Sequence, residues 1–415
     1  MLRDLFPRVH RSYTSLPVLG STLDGFAQFL VELGYPQLPV LQHVRTARHV
    51  DTRLQRRGCR AVAHITRAKL RACAPPAGRS QEDMYVAATV RLLDRYLDKI
   101  GILPPPEPLS PIERMLVDYG AYLQQVRGLA SSTIRQHQSA ASQFIAHISK
   151  RDSLSRLSRL SACDIEDFVR VTGGRVGRGS LQHIAAQLRS FLRFLAVRGM
   201  APPGLDTQID TPRLYRGEQL PRALPWDTVR ALLRSIDRST PIGLRDYAML
   251  LLIATYGLRA SEVIGLTLEA IEWRAKRLRV SQRKTSALLL FPLTDAVGDS
   301  LLEYLRRGRP NVLCREVFVR HRAPAGVLKP TGVTDIFQCW SRRSGLNIPF
   351  QGSHCLRHSY AVHLLREGTS LKTIGDMLGH RNAESTCVYI RLAVEDLRGV
   401  ALGLPTLSAS SEVQS

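Results

Sequence analysis

The sequence predicts a mainly α chain with one small β-hairpin in its C-terminal part, an α+β domain preceded by helical ones. Three observations predict it. Apolar residues recur at helical spacing through most of the first two hundred positions. Two proline-rich stretches, Ile102 to Ser110 and Ala201 to Pro225, interrupt that periodicity. One pair of apolar segments, Leu278 to Val280 and Ala287 to Leu293, flanks the polar turn SQRKTS and reads as two strands with Lys284 near the tip.

The elements follow in order. Residues 1–108 show helix-like stretches at Ser21 to Leu33, Val40 to Leu54, Arg60 to Ala72 and Gln81 to Ile100, with arginines concentrated between Arg45 and Arg71. They form a helical accessory domain whose role stays open between DNA binding and protein docking through a basic surface. Residues 109–200 read as a bundle of four or five helices. Leu116, Tyr119, Leu123 and Val126 mark the first; Ile134, Ala141, Phe144 and Ile148 mark the second, after the candidate caps Ser131 and Ser132. Asp164 to Val171 and Ser180 to Val197 follow, and Arg135, Lys150, Arg151, Arg156, Arg189 and Arg193 give the bundle a basic polar face. Residues 201–224 read as an extended linker, opening with APPG and closing with LPRALP.

Residues 225–404 are mixed. Asp227 to Ile236 and Ile242 to Tyr256 are helical, the second apolar nearly all round and therefore buried, ending at Gly257 as a C-cap. After the hairpin, GSHCLRHSYAVHLLREG reads as a helix capped by Ser353 and stopped at Gly368. The next helix starts at the cap Ser370, passes Ile374 and Met377 to Leu378 and breaks at Gly379. Tyr389 then lies on a short helix begun by Asn382 or Ala383. The small polar tail 405–415 is expected to be disordered.

Charge narrows the partners. Lys and Arg number 58 against 35 Asp and Glu, a formal charge of +23, with a pI near 10.4, so the surface attracts polyanions. Nucleic acid fits. A membrane does not, because the longest apolar run, Tyr247 to Tyr256, is too short to span one. The N-terminus lacks a compact apolar region with a cleavage site, so the chain is expected in the cytoplasm. Seven cysteines, at 59, 73, 163, 314, 339, 355 and 387, form no C-x-x-C pair and are read as reduced thiols.

The chemistry concentrates in six residues, Arg259, Lys284, His354, Arg357, His380 and Tyr389. Two guanidiniums can each meet the non-bridging oxygens of a phosphodiester transition state with paired donors, and a tyrosine among them can attack phosphorus. His354 and Arg357, three apart on one helix, share a face; Leu356, Tyr360 and Leu364 take the core side, leaving the two free to face a cleft. Ordinary accounts stand beside these. Tyr389 could be helix packing, and Arg259 could cap the preceding helix or pair with Glu262. Lys284 could be an exposed tip residue, although of Lys276, Lys284 and Lys329 it alone lies in a turn between strands. His358 and His363 are read as packing or surface histidines.

The strings TYGLRASEV, SHCLRHSYAVHLL and MLGHRNAESTCVYI, with the hairpin lysine, closely resemble the tyrosine recombinases, DNA breaking-rejoining enzymes of the phage-integrase type. The resemblance runs from about Pro111 to Ala401 and implies a SAM-like helical core-binding domain and a catalytic domain that clamp double-stranded DNA. It implies that Tyr389 attacks the scissile phosphate, leaving a 3′-phosphotyrosine and a 5′-hydroxyl. Arg259 and Arg357 would clamp the non-bridging oxygens, Lys284 would protonate the departing 5′-oxygen, His354 would assist proton transfer at the attacking oxygen, and His380 would hydrogen-bond the phosphate. No cofactor, metal or ATP is implied. The expected assembly is a monomer in solution and a tetramer on DNA, with partner recombinases left open. Val394, Leu397, Val400 and Ala401 form a short apolar face that by resemblance docks into a neighbouring subunit, or equally folds back on its own domain. Integration, excision or transposition of a mobile element is the leading role. Housekeeping resolution of chromosome dimers and a catalytically silent DNA-binding regulator remain alternatives.

Overall fold

The structure is a computed structural model that describes residues 1–75, 80–105, 108–148, 154–214, 221–282, 288–380, 382 and 384–392. Lys284, the apolar face from Val394 and the tail 405–415 lie outside the described residues, as do Lys150 and Arg151. The chain is mainly α with small antiparallel sheets. It divides into two compact units, Pro105–Glu218 on one side and Met1–Pro104 with Gln219–Ser415 on the other.

The N-terminal stretch holds α1 (Leu2–Leu5), α2 (His10–Thr14), α3 (Leu23–Glu32), α4 (Gln37–Arg56), α5 (Arg67–Arg71) and α6 (Gln81–Lys99). Val40, Val44, Ala47, Val50 and Leu54 recur every three or four residues along α4 and bury one stripe of it in a core shared with Val86, Val90, Leu93 and Leu97 of α6. Asp51 sits in that stripe, fully buried, because its carboxylate accepts the amide protons of Val18 and Leu19 at 3.1 and 2.6 Å. The helix expected over Arg60 to Ala72 is divided. A 3₁₀ turn, Val62–His64, gives way to extended backbone at Ile65 and Thr66 before α5 begins with the Thr66 side chain as its cap.

The unit Pro105–Glu218 is built from α7 (Pro111–Gln125), α8 (Ser131–Ile148), α9 (Ala162–Gly173) and α10 (Arg178–Val197). Reciprocal capping boxes, Ser110 with Glu113 and Ser161 with Asp164, open α7 and α9. Tyr119 is buried and its hydroxyl lies 3.0 Å from Nδ1 of His137. Val126, by contrast, is exposed, since α7 has already ended at Gln125. Ser131 and Ser132 are not caps; they occupy the first turn of α8 itself. The stretch expected as an extended linker is packed over its first half. Ala201, Leu205 and Ile209 are buried in the core of this bundle, and Arg189 holds the Ile209 carbonyl at 2.6 Å. Proline prevents a helix there without preventing burial.

The remainder comprises α11 (Trp226–Arg234), α12 (Pro241–Tyr256), α13 (Ala260–Ile264), β1 (Ile271–Glu272), β2 (Arg277–Ser281), β3 (Leu288–Pro292), α14 (Asp295–Glu303), β4 (Val319–Arg320), β5 (Gly326–Val327), α15 (Pro330–Arg343), α16 (His354–Arg366), α17 (Leu371–Leu378) and α18 (Glu384–Cys387). β2 lies between β1 and β3, antiparallel to both, with Leu278 opposite Phe291 and Val280 opposite Leu289. α12 is buried on nearly every side. Thr240 caps its start, and it even buries the pair Arg245 and Asp246, whose carboxylate also takes the Trp340 indole proton at 2.9 Å. α16 is likewise buried almost all round, by Cys355, Leu356, Ser359, Tyr360, Ala361 and Val362. Two contacts hold the start of this part on α16. The Leu224 amide donates to Ser359 Oγ at 2.7 Å, and the His363 ring stacks on Trp226 at 4.2 Å.

Candidate active site

Five of the six predicted residues lie among the described residues, and four stretches of chain carry them: the turn after α12, helix α16, the turn after α17 and the 3₁₀ turn Val388–Leu392. α12 ends where Gly257 turns left-handed, φ 63°, and the backbone then runs extended through Arg259 into α13. A side chain at position 257 has no room. An added Cβ would stand 2.5 Å from Leu378 Cδ2 and 2.7 Å from Tyr360 Cδ1. Gly257→Ala is therefore expected to cost about 2 kcal/mol or more of stability from strain and overpacking together, read as a lower urea midpoint. A midpoint equal to that of the unsubstituted protein would mean that the turn refits.

Arg259 donates through Nη1 to Glu262 Oε1 at 2.6 Å, while its own amide donates to Oε2 at 2.8 Å. Glu262 is 4% exposed, so the carboxylate fixes the guanidinium from below and leaves its remaining donors available. Arg357 is placed differently from the sequence expectation. Rather than standing free in a cleft it is 2% exposed, donating to the Gly257 carbonyl at 2.6 Å and the Leu378 carbonyl at 2.7 Å. The guanidinium thereby joins the turn before Arg259 to the turn before His380. Burial, and next the charge of Arg259, lower its pKa to about 10, which keeps it protonated at neutral pH.

α17 closes at Gly379, φ 60°, and the His380 amide bonds back to the Gly375 carbonyl at 2.9 Å. Nδ1 of His380 lies 2.8 Å from Thr386 Oγ1, and its ring lies nearly parallel to that of Tyr389, centroids 6.4 Å apart. Desolvation, then Arg357 and Arg259, lower the His380 pKa to about 4, so the ring is neutral. Gln282, the last described residue before Lys284, is buried and donates to the Leu378 carbonyl at 3.3 Å. The residue just after β2 is thus held against the same carbonyl that Arg357 grips.

Tyr389 is 2% exposed. Burial raises its pKa, opposed by Arg357 and Arg259, so the phenol does not ionise unaided. Its hydroxyl lies 3.1 Å from Nδ1 of His358. His354, exposed in the first turn of α16, sets its ring edge-on to His358 with centroids 4.5 Å apart. Arginine, histidine and the phenol therefore converge on one small volume, an arrangement suited to binding a phosphodiester and attacking it.

Comparison with known proteins agrees with this chemistry. Residues 222–396 match the phage integrase family, and residues 116–199 match the phage integrase N-terminal SAM-like domain. A Sinorhizobium fredii protein named "Putative integrase/recombinase y4rA" is 33% identical over 386 residues, covering 92% of this chain and 93% of that protein. The chain belongs to the phage integrase family of tyrosine recombinases. These are enzymes that cleave and rejoin DNA. Tyrosine recombinase XerD of Listeria monocytogenes is 29% identical over 293 residues, 69% of this recombinase and 96% of XerD. In structure, a lambda integrase tetramer bound to a Holliday junction matches 75% of this recombinase and 88% of that chain, with TM-score 0.52 and 17% identity.

Sequence reasoning did not place His358 beside Tyr389. It stands four residues after His354 and next to Arg357, on a helix whose turns are almost all buried, so spacing alone does not separate it from a packing histidine. The basic face expected of the bundle is also partly spent internally. Arg156 pairs with Asp164 at 2.6 Å, Arg193 with Asp206 at 3.1 Å, and Arg189 bonds to the Ile209 carbonyl. Among the described residues no helix is long and apolar enough to cross a membrane.

Proposed function

We propose that this recombinase cuts and rejoins specific DNA sites through a 3′-phosphotyrosine on Tyr389, in the integration, excision or transposition of a mobile element. The observation that carries the chemistry is the buried Tyr389 phenol, gathered with Arg259, Arg357, His354 and His380 from separate elements. Arg259 and Arg357 hold the non-bridging oxygens, Lys284 protonates the leaving 5′-oxygen, His354 assists proton transfer, and His380 bonds the phosphate. Exchanging two duplexes requires four such sites, so the working form is a tetramer on DNA.

The mobile-element role is favoured by the reach of the y4rA match. At 92% of this chain it extends into the first hundred residues, whereas the XerD match stops at 69%. Those residues expose Arg48, His49 and Arg56 along α4, a face suited to DNA phosphates and to an accessory DNA-binding role. Housekeeping resolution remains the second reading, since nearly all of XerD is matched.

The test is direct. Half-sites are selected with the full chain from a random duplex pool, and a nicked suicide duplex is built from them. A denaturant-resistant adduct at the 3′ side of the cut, formed equally in EDTA, is the expected result. Cleavage that needs added magnesium, or none at all, would sink the proposal.

A further inference from the structure

A phenol must lose its proton to attack phosphorus, and a group that takes it must lie within about 2.6–3.2 Å. At 3.1 Å from the Tyr389 hydroxyl, Nδ1 of His358 meets that requirement. We infer that His358 holds the Tyr389 hydroxyl in place and receives its proton as the oxygen attacks. The inference rests on the proposal that Tyr389 is the nucleophile.

Several features make His358 suited to the task. α16 is packed nearly all round, and its neighbour Arg357 is pinned to two carbonyls, so the imidazole is carried on a fixed rail. The Tyr389 ring lies against the His358 ring as well, centroids 5.6 Å apart. The groups facing His358 are His354 and Arg357 on its own helix, Arg222 ahead of α11, His380 after α17, and Tyr389 itself. Burial, then His354, Arg357 and Arg222, lower its pKa to about 4. It is therefore neutral near pH 7, with one ring nitrogen free to accept the phenolic proton.

So weak a base is poorly matched to a phenol whose own pKa is raised. A bound phosphodiester narrows the mismatch, because its negative charge offsets the share of the lowering that comes from Arg357 and Arg222, although burial, the larger cause, remains. In the step itself the Tyr389 O–P bond forms as the P–O5′ bond breaks. The phenolic proton passes to His358 Nδ1, and the 5′-oxygen takes a proton from Lys284. His354, edge-on to His358 and exposed, is the next imidazole toward solvent.

The experiment measures single-turnover cleavage of the nicked duplex by the full chain between pH 6 and pH 9, for the unsubstituted protein, His358→Ala and His358→Asn. The asparagine amide occupies the place of Nδ1 and can bond the hydroxyl, but it cannot take a proton. Both variants are expected to bind the duplex normally and to cleave roughly 10²-fold slower near neutrality, the lower end of what a positioned acid or base contributes. Their deficit is expected to shrink as pH rises and hydroxide takes over. His358→Asn guards against misfolding of the alanine variant, with thermal melting as the check. An asparagine variant as fast as the unsubstituted protein, or an equal deficit at every pH, would overturn the inference and leave His358 a packing residue. Adduct formed by Tyr389→Phe would instead overturn the proposal beneath it.

Discussion

Replacing Tyr389 with phenylalanine is expected to leave half-site binding intact and to remove the protein–DNA adduct. The substitution deletes one oxygen. The ring keeps its place against His358 and His380 in a small core with Tyr360, Ile374 and Leu378. The single hydrogen bond lost is worth about 1 kcal/mol, too little to unfold the chain. Any failure is then one of chemistry. Deletion of a nucleophile costs on the order of 10⁴-fold or more, because neighbouring groups have nothing left to activate. The readout is the denaturant-resistant band on the nicked duplex beside a gel shift of the same duplex. Adduct at undiminished yield would mean that another residue attacks.

The second large effect is expected at Arg357. If Arg357 meets the phosphate as proposed, Arg357→Ala removes a donor to the developing phosphorane charge and is expected to lower cleavage by roughly two to three orders of magnitude. The structure adds a second consequence. The Gly257 carbonyl loses its donor in a buried setting, at about 1–3 kcal/mol if left unsatisfied, and the Leu378 carbonyl is left with the longer bond from Gln282. Melting temperature is therefore expected to fall together with activity. Arg357→Lys separates the two, since an ammonium can reach one carbonyl but cannot fork between both and a phosphate oxygen. It is expected to regain part of the stability and little of the cleavage. A lysine variant with full activity would show that charge alone is needed there.

Much of this site was legible in the sequence because its parts carry local signals. Gly257 followed by Arg259, and Gly379 followed by His380, announce helix ends with a candidate site side chain just beyond, and both glycines are left-handed in the structure. The hairpin was legible from two apolar segments flanking a polar turn, with strand ends shifted by a residue or so. What sequence could not convey was depth. A spacing of three puts His354 and Arg357 near one another, yet α16 has neighbours on nearly all sides, so one is exposed and the other buried. The partnership of His358 with Tyr389 joins residues 31 positions apart, beyond any periodicity. α1 and α2, of four and five residues, are too short to show a period at all. Ala201, Leu205 and Ile209 are apolar residues without helical spacing, so composition suggested a connector where the structure has core.

The bond from the Leu224 amide to Ser359 has a bearing on modularity. Recombinases invite the grafting of one protein's cutting half onto another's binding half, and Pro225, where the prolines end, is the natural place to join them. Here that seam would fall inside the working parts. Ala223 packs with the small core that contains Tyr389, Arg222 faces His358, and Leu224 is tied to the helix that bears Arg357. A graft that begins at Pro221 carries these contacts with it, while one that begins at Pro225 inherits the candidate site side chains with part of their scaffold replaced by a stranger's.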